Sequence, residues 1–237
     1  MLISVDFSFL FCYNLVMKEF LEKINASDKE QNFSLYSSLL KEWNEKFNLT
    51  SITDEQEIKQ KHFIDSLSAL PLIKQNATVL DIGSGAGFPG VPLKIIRNDI
   101  EVTLIDSVNK KVTFLNEVIN RLSLEKIKAQ HIRVEDFNKS VKFDVVVSRA
   151  VAELRTLLEY ALPFVKKGGV FIAYKSEKTD EEIKNAKTAL SILGGKINDI
   201  LDVSQEGNVR KLIVIEKVEE SPLKYPRGKN LPRVKPL

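Results

Sequence analysis

The stretch Val79-Leu80-Asp81-Ile82-Gly83-Ser84-Gly85-Ala86-Gly87-Phe88-Pro89-Gly90 decides the fold. An apolar run ends in a turn holding four of the chain's ten glycines, and a helical run containing Leu93, Ile95 and Ile96 follows. Glycines at the carboxyl end of a parallel strand let the backbone approach a nucleotide and adopt positive φ. The next strand, Glu101-Val-Thr-Leu-Ile-Asp106, ends on an acid 21 residues after Gly85. A carboxylate there can accept ribose hydroxyls. A structural turn beside a solvated acid would leave a similar trace. The ordered series of strand, loop, helix, strand and acid favours a nucleotide site built from Gly83, Gly85, Gly87 and Asp106.

The identity of the nucleotide stays open on spacing alone, because Gly85-x-Gly87-x-x-Gly90 also satisfies the dinucleotide pattern. Asp81 precedes the first glycine by two residues, where it can orient the loop and a methionine ammonium. A pyrophosphate prefers a helix N-terminus free of carboxylate. Asp81 and the hairpin predicted to close the chain favour S-adenosylmethionine.

Outward from the loop, strands and helices alternate. A helix is predicted over Asn109 to Leu122, a strand over Lys128 to Val134, and a doubly buried strand over Phe143 to Ser148. A helix over Glu153 to Pro163, a strand over Gly169 to Lys175 and a helix over Asp180 to Leu193 follow. Two β-rich runs, 196–204 and 209–218, flank Gly207-Asn208 and read as an antiparallel hairpin. This order predicts a doubly wound α/β domain with a mostly parallel seven-stranded sheet and a closing hairpin, the class I methyltransferase arrangement. Upstream, residues 17–70 read as helical. Phe33, Tyr36, Leu39, Leu40, Trp43 and Phe47 form one apolar stripe, and a second helix runs from about Asp54 to Leu70, ended by Pro71. Trp43 reads as core.

The 237 residues carry 43% hydrophobic and 28% charged side chains, which suits a globular chain and excludes wholesale disorder. No run approaches the roughly 18 apolar residues of a spanning helix. The single Cys12 excludes an internal disulfide and a Cys-based zinc site, and with only His62 and His131 no metal centre is expected. A reducing cytoplasmic location fits. Residues 1–16 lack a signal peptide's basic start and cleavage site, and translation is expected to begin at Met17. The net charge of +3 lies in the tail. After Glu220 come five bases and no acid, leaving 30 bases against 32 acids in the rest. With Pro222, Pro226, Pro232 and Pro236, the tail reads as extended, either a phosphate-binding arm or a solvated terminus. The expected divisions are 1–16 leader, 17–71 helical extension, 72–220 catalytic domain and 221–237 basic tail.

LDIGSGAGFPGVPLKII, LIDSVNKKVTFLNEV, IRVEDF and FDVVVSRAVAEL resemble the RsmG (GidB) family of bacterial 16S ribosomal RNA methyltransferases. FNLTSITDEQEIKQKHFIDSL and the ending YPRGKNLPRVKPL are similar to the same family, so the resemblance spans about residue 30 to the end. It implies methyl transfer from S-adenosylmethionine to N7 of a guanine (position 527, in the 530 loop) of 16S rRNA. The partner would be that RNA or the 30S subunit, met by a monomer without membrane contact. The family's cofactor contacts fall on Gly83, Phe88, Val134, Glu135 and Arg149, joined by Gly85, Gly87 and Asp106 from the general pattern. Glu135 would sit beside the adenine, with Val134 and Phe88 near its face.

N7 carries a free lone pair, so positioning suffices and no general base is expected. Ser148-Arg149-Ala150 stands where exocyclic-amine enzymes carry an Asn/Asp-Pro-Pro-aromatic string. Arg149 is the candidate catalytic residue: it could bond guanine O6 or fix the cofactor and its loops. A salt bridge to Glu153 or Asp81 is its structural alternative. His62 and Asp65, three apart on one helix face, read more readily as a hydrogen-bonded helix end than as an active-site rim. His131 receives no role. Lys110, Lys111, Arg121, Lys126, Lys128 and Lys175 are candidate phosphate contacts. Two competing functions are a nicotinamide-dependent oxidoreductase on the same loop and a ribosome-binding protein with a relic loop. The first lacks a Lys–Tyr or His–Asp pair after the nucleotide half. The complete glycine set argues against the second.

Overall fold

A computed structural model describes residues 17–204 and 209–237. Residues 1–16, with the expected leader and Cys12, and the Gly207-Asn208 turn lie outside the described residues. Helix α1 spans Met17–Lys23 and α2 spans Glu30–Phe47. Helix α3 covers residues 55–67, and its middle, Ile58–Ile64, widens into π-type turns. Asp54 caps its start by accepting the Glu57 N–H at 2.9 Å. Pro71 does not end this helix: it lies in a separate short turn, Leu70–Leu72, where a missing N–H is tolerated.

The strands are β1 (Thr78–Ile82), β2 (Glu101–Asp106), β3 (Ile127–His131), β4 (Phe143–Arg149), β5 (Val165–Lys175), β6 (Gly195–Asp202) and β7 (Lys211–Lys217). They form one sheet in the order β3-β2-β1-β4-β5-β7-β6. β1 to β5 pair in parallel, and β7 runs antiparallel between β5 and β6. The order reverses between β1 and β4, so the loops after these two strands open the crevice where open α/β sheets bind ligands. The intervening helices are α4 (Gly90–Ile96), α5 (Asn109–Arg121), α6 (Leu154–Ala161), α7 (Thr179–Asn185) and α8 (Lys187–Leu193). Several bounds differ from expectation: β5 begins at Val165 rather than Gly169, and the helix expected over 153–163 ends at Ala161. β3 stops at His131, and Val134–Asp136 forms a turn of its own. The helix expected over 180–193 breaks at Ala186 into α7 and α8.

Alternation along β1 sorts the core into two layers. Val79 joins the layer of α1 to α5, with Phe33, Tyr36, Phe63, Leu93 and Phe114, while Leu80 joins the layer of α6 and α8. The helical extension therefore shares a core with the sheet. Trp43 packs at its edge, its ring 5.6 Å from Phe114. The tail departs from the extended arm expected of it. Residues Leu231–Val234 form helix α9, begun by a proline-tolerant first turn, and Tyr225 and Pro232 are buried against the second layer.

Candidate functional site

The glycine loop is tied down on every side. Gly83 and Ser84 N–H groups donate to Ile105 O at 2.9 and 3.1 Å, and Gly85 N–H donates to Asp106 Oδ2 at 2.9 Å. Gly90 N–H donates to Asp81 Oδ2 at 2.9 Å, and the Tyr36 hydroxyl donates to Ala86 O. Gly87 holds φ +100°, and a Cβ there would stand 2.4 Å from the Tyr36 hydroxyl. A side chain at this point would crowd Tyr36, Val91 and Leu115. Gly87→Ala is expected to cost about 2 kcal/mol or more through strain and overpacking, read as a lower urea midpoint.

Beside the loop, at the carboxyl ends of β1 to β4, lies a cavity of about 470 Å³. That volume is within the range of small-molecule sites. Gly83, Asp106, Val134 and Glu135 line it together, with Ile105 and Ile132 as apolar walls. Asp106 is 5% exposed, and its Oδ1 accepts the Val108 N–H at 2.8 Å. Each carboxylate oxygen has two lone pairs, so both retain an acceptor site for a hydroxyl. The wall also holds Lys111, Arg133, Ala150, Val151, Tyr160, Asn230 and Arg233; of these, Lys111 is named from sequence as a candidate phosphate contact and Arg233 only among the basic tail residues. Tyr160 and the tail's place in this wall are not legible in sequence, because these residues lie far along the chain from any nucleotide motif.

Asp81 sits under the loop and is fully buried. Its Oδ1 has no hydrogen-bond partner among the described residues. Burial pushes its carboxyl up to about 7, against the opposing pull of the Gly90 N–H and Arg149. An unpartnered buried oxygen at the loop fits a ligand that brings a cation or a donor.

Phe88 and Arg149 are placed differently from the cavity group. Both stand behind the loop, facing helix α3. Arg149 Nη1 donates to Asp65 Oδ2 at 2.7 Å and to Lys61 O at 3.1 Å, and Nη2 donates to His62 Nδ1 at 3.1 Å. Its guanidinium lies 4.9 Å from the centre of the Phe88 ring, and His62 stacks on the same ring at 4.5 Å. Neither Glu153 nor Asp81 pairs with Arg149; Glu153 pairs with Arg155 at 3.1 Å. Asp65 is 4% exposed and also takes Arg210 Nε on its Oδ1 at 3.2 Å. His62 and Asp65 are thus more than a hydrogen-bonded helix end: they grip Arg149. Ala150, at φ +57°, provides the left-handed step after it.

Because guanidinium only donates, His62 Nδ1 accepts, and its Nε2–H donates to Thr50 Oγ1 at 2.9 Å. Burial and the Arg149 charge hold the His62 imidazolium down to about 3. The sign follows. The unfolded chain protonates His62 near 6.5 and the folded chain only near 3, so its stabilisation is complete above 6.5 and is lost as pH falls through that interval. His62→Gln should flatten the acid limb of stability between pH 6.5 and 4 in urea titrations.

Among the candidate phosphate contacts, Lys175 is buried and donates to Ala152 O and Glu182 Oε2, both at 2.6 Å, which removes it from any RNA surface. Lys110 donates to Phe47 O at 2.8 Å, joining α5 to α2. Arg121 pairs with Glu117 at 3.5 Å. His131 Nε2 meets Ser107 O at 3.1 Å. No helix among the described residues is long and apolar enough to cross a membrane.

Sheet order, closing hairpin and crevice define a class I methyltransferase fold. The structure of TYW2 from M. jannaschii in complex with AdoMet shares it, with a TM-score of 0.56 at 19% identity, covering 70% of this chain and 79% of that one. The GidB family profile, rRNA small subunit methyltransferase G, matches residues 29–213. A ribosomal RNA small subunit methyltransferase G from Acetivibrio thermocellus is 50% identical over 90% of this chain and 91% of its own. One from Clostridium perfringens is 46% identical over 89% and 91%. The chain belongs to the rRNA small subunit methyltransferase G family.

Proposed function

We propose that the protein transfers a methyl group from S-adenosylmethionine to N7 of a guanine in the 530 loop of 16S rRNA. Membership of the family over residues 29–213 carries this reading, and the cavity supports it chemically. Asp106 would take the ribose hydroxyls, Val134 and Glu135 would flank the adenine, and Gly83 would let the chain approach the amino-acid end. The unpartnered oxygen of Asp81 suits that end's ammonium. When bound, the cofactor supplies an electrophilic methyl group on a sulfonium.

The residues then need only align and exclude water, because N7 is already a nucleophile. The arrangement agrees with that economy. His62 is engaged at both ring nitrogens, and Asp81 lies beneath the loop. Arg149 acts in this reading as the residue that locks α3, Phe88 and the end of β4 into one rim. The grip on its guanidinium favours fixing the loops over bonding guanine O6. A 16S rRNA partner puts the work in the cytoplasm, on the 30S subunit or its RNA.

The test is incubation of the full-length protein with methyl-labelled S-adenosylmethionine and 30S subunits from a strain lacking the gene. Label in 16S rRNA is the expected outcome. A nicotinamide enzyme would leave the RNA unlabelled and bind NAD(H) instead.

A further inference from the structure

The C-terminal segment is held like a strap rather than a free arm. Glu159 on α6 is fully buried, and Arg227 converges on it three times. Its backbone N–H and Nε donate to Oε1 at 2.9 and 2.8 Å, and Nη2 donates to Oε2 at 2.7 Å. A carboxylate so buried is stable only when paired and hydrogen-bonded in this way. Arg227 Nη2 also donates to Lys235 O at 2.8 Å, closing the loop 227–235 on itself. Thr156 Oγ1 donates to Pro232 O at 3.0 Å, fastening the middle of the strap to α6.

This anchoring fixes Asn230 and Arg233 in the cavity wall. Arg233 Nη2 donates to Val151 O at 3.0 Å, and Tyr160 shares the same wall. Val151 stands against Gly83, where an added Cβ would meet its Cγ2 at 2.5 Å. Arg233 is therefore a cavity cation tied, through Val151, to the glycine loop. Lys111 lies 3.9 Å from Asp106 Oδ2, and Arg133 precedes Val134 and Glu135 in the same lining. An arginine with donors to spare is suited to a carboxylate.

We propose that residues 225–235 form a wall of the cofactor site and that Arg233 binds the α-carboxylate of the cofactor's amino-acid end. The proposal rests on the S-adenosylmethionine reading above. Removing residues 221–237 should then lower cofactor affinity.

Calorimetric titration of the full-length protein with S-adenosylhomocysteine and with 5′-methylthioadenosine tests it, because the second ligand keeps the thioether nucleoside and lacks the amino-acid end. Arg233 is exposed, so Arg233→Ala should fold. We expect this variant to bind S-adenosylhomocysteine about tenfold or more weakly, to bind methylthioadenosine within about twofold of the parent, and to be largely rescued in Arg233→Lys. Equal weakening of both ligands would overturn the carboxylate assignment. Unchanged affinity for both would overturn the strap's place in the site. A parent protein that binds neither would overturn the cofactor reading and this proposal with it, a result distinct from the other two.

Discussion

Asp65→Ala is expected to destabilise the protein by about 3–5 kcal/mol, the usual cost of removing one partner of a buried ion pair. Asp65 and Arg149 side chains are 3% and 12% exposed, and their closest contact is 2.7 Å. Truncating Asp65 leaves the Arg149 guanidinium poorly solvated, with His62 and two backbone carbonyls as neutral acceptors. It also releases Arg210. Arg149→Ala leaves Asp65 with Arg210 alone and should cost a similar amount. The double variant should cost clearly less than the sum, since the second truncation removes the charge that the first left unpaired. Urea unfolding of the three variants measures this. Additive losses would mean that the pair does not clamp helix α3 to the sheet.

Asp81→Asn should separate stability from ligand binding. Burial holds the Asp81 carboxyl up to about 7, so the native chain carries it protonated at lower pH and must bear a buried charge above that point. A raised carboxyl gives stability that is present below its unfolded value of 3.8 and is lost as pH rises through 7. At about 1.36 kcal/mol per pH unit, the penalty by pH 8 is on the order of 4 kcal/mol. Asparagine can still accept the Gly90 N–H and carries no charge. The variant should therefore be more stable than the parent at pH 8, with the gap narrowing as pH falls and little difference left near pH 4. Ligand affinity should move the other way. If the free oxygen of Asp81 takes the cofactor's ammonium, S-adenosylhomocysteine should bind the parent more tightly as pH rises from 6 to 8. Asp81→Asn should bind weakly with a flat profile. A flat profile in the parent would contradict that role.

Much of this architecture is legible in the chain because local physics sets it. The β1 run and its glycines, the apolar face of α5 and the hairpin after α8 all follow from periodicity and turn chemistry, and their bounds agree within a few residues. What stayed hidden depends on partners distant in sequence. Arg149 and Asp65 lie 84 positions apart, so the sequence suggested Glu153 or Asp81 as the nearer acids. Lys175 looked like a surface base, but it ends a buried strand and closes on Glu182. The tail misled most. Proline and like charge describe an extended, solvated arm, but Glu159 inside the apolar run Leu154-Arg155-Thr156-Leu157-Leu158-Glu159-Tyr160-Ala161 is the buried acid that Arg227 neutralises. A lone acid on an apolar helix face was the available signal that some base must come to it.

The site rests on a division of labour. In the proposed reading the cavity group of Gly83, Asp106, Val134 and Glu135 would face the ligand, while Phe88, His62, Asp65 and Arg149 fix the loop from behind. Such a division suits a reaction whose nucleophile needs no activation, because rigidity of the rim sets the approach of the base.

The most direct measurement maps the methyl group. 16S rRNA labelled by the protein is reduced with borohydride and treated with aniline, which cuts the chain at N7-methylguanine. One cut at a single guanine of the 530 loop, dependent on S-adenosylmethionine and absent without the protein, is the predicted result. A methylated RNA that resists cleavage, or one cut elsewhere, would contradict it.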